Sequence, residues 1–119
     1  MRPADGGQPP ELFPHPGTTV SALGGALARV APSRLTEFRA DLDAALTAAA
    51  QDGSSQPVRF FRTTWATEIE IERRPALAAR YRAALDAANI LDRDDPRRRD
   101  AMDACLALYQ EARSAATGG

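Results

Sequence analysis

Only one stretch of this chain is patterned like a β-strand, and a strand needs a partner to fold against. FFRTTWATEIEIERRP runs from Phe60 to Pro75. At a period of two, Phe61, Thr63, Trp65, Thr67, Ile69 and Ile71 share one face, and Arg62, Thr64, Ala66, Glu68, Glu70 and Glu72 share the other. The β-branched and aromatic residues suit that reading. At helical period, Val58, Phe61, Trp65 and Ile69 make a narrow stripe, with Phe60, Thr64 and Ile71 on the opposite side. No second strand-like run exists in the chain, so a paired strand would require a homodimer. Context therefore favours a helix that is apolar on two sides. Such a helix is central to a bundle, or it presents Phe60 and Ile71 to a partner.

The rest of the chain reads as helices separated by proline and glycine. Thr18 and Thr19 can cap a first helix over about 19–31, with Val20, Leu23, Leu27 and Val30 as its stripe. Gly24 and Gly25 weaken it by about 1 kcal/mol each relative to Ala, or else allow another helix to approach closely. Pro32 ends it. A second helix spans about Ser33 to Gln51, with Leu35, Phe38, Leu42, Leu46 and Ala49 inward and Asp52-Gly53 as its stop. A later helix opens on Pro75 and carries Leu77, Tyr81, Leu85 and Ala88 on one stripe, with Asn89 as a possible end. The acidic loop DRDDP follows, with Asp95 as cap and Pro96 in the first turn of a last helix over about 96–115. Met102, Cys105, Tyr109 and Ala112 lie on one face of that helix, flanked by Leu106 and Leu108. Asp92, Asp94 and Asp95 complement its dipole.

The expected architecture is thus all-α: a small bundle of four or five helices over residues 18–116, preceded by a flexible Pro/Gly-rich tail over 1–17. That tail holds five of the nine Pro and three of the eight Gly, a composition that supports neither helix nor ladder. Leu12 and Phe13 could still be pinned against the domain. Thr117, Gly118 and Gly119 should fray. Aromatics make up 6% and Ala is abundant, so the core must be thin and built from Ala, Leu and a few large side chains.

Several functions are disfavoured by what is missing. The net charge is −1, so no overall field draws nucleic acid or anionic membrane. All 15 basic residues are Arg, which codon bias explains more simply than guanidinium chemistry. Cys105 is the single cysteine, which excludes an intramolecular disulfide and a thiolate zinc site. It reads as a buried small hydrophobe. His15 is the single histidine, set between two prolines, and reads as a solvated tail residue rather than a base. No glycine pattern matches a phosphate loop, and the acidic loop lacks calcium-loop spacing. No metal or cofactor is expected, and the chain is expected not to be an enzyme. With no run of about 20 apolar residues and no apolar leader segment, a cytoplasmic location is expected.

The segments FPHPGTTVSALGGALARVAPSRLTEF and PVRFFRTTWATEIEIERRPALAAR together resemble a family of small, Arg-rich actinobacterial proteins catalogued as a domain of unknown function. The resemblance covers roughly residues 12–90. It implies a helical fold and carries no functional residue across. The last helix departs most from the family's pattern.

The sequence points to a non-enzymatic protein-binding module, antitoxin-like or regulatory in type, whose partner is another protein or a second copy. The candidate contact residues are Phe60, Trp65, Ile71, Arg73 and Arg74, although in so aromatic-poor a domain Trp65 is more readily read as core than as a contact. Arg73 and Arg74, like Arg97, Arg98 and Arg99, form either an acidic-partner patch or a solvated face neutralised by neighbouring Asp. The alternative is a dimeric DNA-binding regulator. A strand followed by two helices is the order of a ribbon-helix-helix repressor. Its outward Glu68, Glu70 and Glu72 would repel phosphate, which disfavours it.

Overall fold

A computed structural model describes residues 15–118. They form α1 (Val20–Val30), a single 3-10 turn (Pro32–Arg34), α2 (Leu35–Asp52), α3 (Gln56–Glu72), α4 (Pro75–Ile90) and α5 (Pro96–Thr117). No strand forms among the described residues. The stretch from Phe60 is therefore helical, and the paired-strand alternative falls with it. Its β-prone residues are overridden because a helix satisfies every backbone group internally, while a lone strand leaves them unpaired.

The local signals act where the sequence places them. Thr19 Oγ1 accepts the Ala22 N–H at 3.2 Å and starts α1. Asp95 Oδ1 accepts the Arg97 N–H at 2.9 Å and starts α5. Pro75 and Pro96 open α4 and α5, where a missing N–H costs nothing. Gly53, at φ 64°, closes α2 in the left-handed conformation and donates its N–H to the Ala49 carbonyl at 2.9 Å.

Helix α3 is the centre of the bundle and contributes to two cores. Its N-terminal two-thirds packs Phe61, Trp65, Ala66 and Ile69 against Leu23, Ala26 and Leu27 of α1 and Phe38 and Ala45 of α2. Phe38 lies tilted against Phe61 at 5.1 Å and edge-on to Trp65 at 5.3 Å, geometries that aromatic pairs favour. Gly24 faces this pair closely: a Cβ at this position would already rest against the Phe38 ring at 3.4 Å. The second core joins Ile71 of α3 to Leu77 and Ala78 of α4 and Leu108 and Ala112 of α5. Tyr81 and Tyr109 pack over it with ring centres 6.3 Å apart.

Three expected burial patterns are corrected. Leu46 of α2 is 51% exposed, because α2 packs through the narrower stripe of Phe38 and Ala45. In α5 the buried line is Leu108 and Ala112 rather than one centred on Met102 and Tyr109. The rotation leaves Met102 outward. His15 is not a solvated residue: its Nε2–H donates to the Ala66 carbonyl at 2.9 Å, and its Nδ1 accepts the Gly17 N–H at 3.0 Å. Those two partners call for a neutral ring protonated on Nε2. The rest of the expected tail, with Leu12 and Phe13, lies outside the described residues.

Candidate protein-docking face

The expected contact residues divide between the surface and the interior. Phe60 is 74% exposed at the start of α3, beside a groove of about 360 Å³ between α2 and α3. Trp65 is 1% exposed and Ile71 is buried, so neither side chain can meet a partner. Both are consumed by the chain's own cores: α3 is covered on one side by α1 and α2 and on the other by α4 and α5. Trp65 also donates its indole N–H to Asp41 Oδ2 at 3.1 Å.

Arg73 and Arg74 are occupied internally. Arg73 is buried and donates Nε–H to Glu70 Oε1 at 2.7 Å. Arg74 donates to the other Glu70 oxygen at 3.2 Å and lies 3.7 Å from Glu111 of α5. Helical spacing of three and four residues brings the two guanidiniums onto one carboxylate. A buried carboxylate needs that compensation, since removing either sign would strand the other. The pair is therefore a structural joint between α3 and α5, not an acidic-partner patch.

A second polar cluster stands where α2 meets α3. Arg34 donates to Glu68 at 2.8 Å and to Glu37 at 3.2 Å, and its guanidinium lies 4.8 Å from the Trp65 ring centre. Burial lowers the Arg34 pKa, but the hydrogen bonds it donates to Glu37 and Glu68, with their negative charge, outweigh that and hold the group above its ordinary value. Arg82 of α4 binds Glu72 at 2.8 Å. Between these two ion pairs is a cleft of about 300 Å³. Its charges already pair with one another. Among the described residues, no three His, Cys, Asp or Glu side chains converge to hold a metal ion, and no helix is long and apolar enough to cross a membrane.

What the residue-by-residue reading missed is the outer face of the α4–α5 hairpin. Leu85, Met102 and Leu106 are large, apolar and exposed, Leu106 at 57%. With Tyr81, Cys105 and Tyr109 they line a shallow groove of about 340 Å³ between the two helices. Burial, and then the Glu68 carboxylate, push the phenols of both tyrosines above their ordinary range, as expected where rings lie against apolar surface. The signal was present in the sequence: α5 carries five large apolar or thiol side chains from Met102 to Tyr109, more than one buried line uses. Isolated exposed leucines are ordinary; a contiguous groove of them is a candidate contact surface. Comparison with family models, with curated proteins and with solved structures gives no match to this chain.

Proposed function

We propose that the protein is a non-enzymatic protein-binding module, regulatory or antitoxin-like in type, and that it docks its partner on the α4–α5 face. The observation that supports this reading is the groove between two antiparallel-type neighbours in sequence, with Leu85, Met102 and Leu106 exposed along it. Leaving these side chains in water forgoes roughly 25 cal/mol for each Å² that a partner could cover. Grooves of this kind accept an apolar helix face.

The test is co-purification of the tagged chain from its native host, run beside light scattering of the free protein, for the natural sequence and for Leu106→Gln. A stoichiometric protein partner that is lost with Leu106→Gln, while the helical content is unchanged, supports the reading. A partner retained in full by that variant would refute the assignment of this face.

A further inference from the structure

The α2–α3 groove beside Phe60 has a chemistry of its own, and it shares no lining residue with the α4–α5 groove. Its volume is about 360 Å³, and its walls are apolar except at Asp41 and Thr64. On the α2 side Ala44 and Ala45 leave it open, because a methyl group fills little of the space between the helices. On the α3 side Phe60 stands 74% exposed, and the buried Phe61 and Trp65 close the floor. Asp41 Oδ2 accepts the Trp65 indole N–H at 3.1 Å, which holds the carboxylate at the edge of the groove. Asp41 Oδ1 and Thr64 Oγ1 take part in no hydrogen bond or ion pair among the described residues. No cation there answers Asp41 either. Among the described residues no arginine lines the groove. Arg34, whose guanidinium lies over the Trp65 ring, is already held by Glu37 and Glu68. An ionised carboxylate and a hydroxyl thus stand unused at an apolar groove with an open aromatic face.

We infer that this groove binds a small organic cation: an aromatic ring carrying an ammonium group on a short chain. The ring lies against Phe60, and the ammonium donates to Asp41 and Thr64. An ammonium has three donors and no acceptor, so it suits two oxygens that have acceptor capacity to spare. Its charge complements Asp41, and an aromatic face beside it adds cation–π attraction. A ligand carboxylate would instead meet Asp41 as a like charge. Size points the same way. Pro57 and Trp65 bound the groove along α3, eight residues apart, or about 12 Å. That length holds one ring and a short chain but not the several turns of a partner helix. The volume falls at the lower end of the range for small-ligand sites, which are mostly apolar with a few placed polar groups.

The test uses three probes that share a ring and differ in the terminal group: phenethylamine, phenethyl alcohol and phenylacetate. Trp65 is the chain's single tryptophan, so its emission reports on this groove. Titration calorimetry of the full chain measures the same binding independently. Phenethylamine should bind about five- to tenfold more tightly than phenethyl alcohol, the scale of an exposed ion pair joined by a cation–π contact. Phenylacetate should bind most weakly. The preference for the amine should shrink in about 1 M salt, where the screening length falls to about 3 Å. Asp41→Asn removes the charge but keeps an oxygen for the Trp65 N–H. It should bring the amine and the alcohol to equal affinity with the circular dichroism unchanged. Phe60→Ala, at an exposed position, should weaken both. Equal binding of the three probes, or an amine preference that survives Asp41→Asn, would overturn the cation site. So would the absence of any binding at millimolar probe. A homodimer of the free protein that Phe60→Ala dissolves would give the groove to a second copy instead.

Discussion

Glu70 and Arg73 are joined at 2.7 Å with both side chains almost wholly withdrawn from water, and Arg74 completes the carboxylate's coordination from the other side. The three residues sit at the end of α3 where the chain turns into α4. Replacing Glu70 with Ala would remove the buried carboxylate that Arg73 and Arg74 share. The expected loss is about 3–5 kcal/mol of stability, the range for breaking a buried pair by removing one partner. Denaturant unfolding measures it. A loss under about 1 kcal/mol would show that the Arg73 guanidinium does not depend on Glu70 for its charge compensation.

Trp65 combines a packing role with a polar one. Trp65→Ala should cost about 3–5 kcal/mol, as for a large core aromatic. Trp65→Phe keeps much of the packing against Phe38 but forfeits the bond to Asp41, so a cost of about 1–3 kcal/mol is expected. If the two variants unfold at the same denaturant concentration, the hydrogen bond rather than the ring dominates.

The two glycines of α1 should respond differently to alanine. At Gly25 nothing lies within 4 Å of a new Cβ, and the residue is exposed. Gly25→Ala should therefore stabilise the protein by about 0.5–1 kcal/mol through helix propensity. At Gly24 the same gain is opposed by contact with the Phe38 ring, and larger residues there should destabilise. Thermal melts of Gly24→Ala, Gly24→Val and Gly25→Ala rank these effects. Gly24→Val melting above the natural protein would contradict the close approach.

Alkaline pH should weaken the fold. Burial, and then Glu68, raise the Tyr81 and Tyr109 phenols above their ordinary value near 10. The folded chain holds those protons more tightly than the unfolded chain does. Their contribution to stability is thus intact below about pH 10 and declines as the pH rises through the raised folded values. Phenolate absorbance followed in native buffer and in denaturant should give the later midpoint in native buffer. Coincident midpoints would show that the rings are free of the groove.

The helices were legible in the sequence wherever a cap, proline or glycine marked their ends. Thr19, Gly53, Pro75 and Asp95 all act within a few residues of their neighbours, so local chemistry is enough. The faces were less legible, because burial depends on which helix arrives from far along the chain. Ile71 and Phe60 share one side of α3 by periodicity, yet α4 and α5 cover only the end that carries Ile71. Arg73 and Arg74 looked like surface charge because nothing in their spacing says that Glu111 and the rest of α5 close over them. His15 was misread for the same reason: its partner, Ala66, is 51 positions away. The exposed groove between α4 and α5 was legible only as an excess, since these helices carry more apolar residues than their mutual contact consumes.

The sharing of α3 by two cores has a consequence for how the chain acquires its shape. Every fully buried member of the first core lies between Leu23 and Ile69, so most of that half can condense once α3 has been synthesised, leaving Ala116 of α5 to close against it. The second core must wait for Leu108 and Ala112 at the far end. Until they arrive, the second core offers Ile71 only Leu77 and Ala78 of α4. The α4–α5 hairpin is thus the last part to be secured, and it is secured by closing over a helix already fixed on its other side.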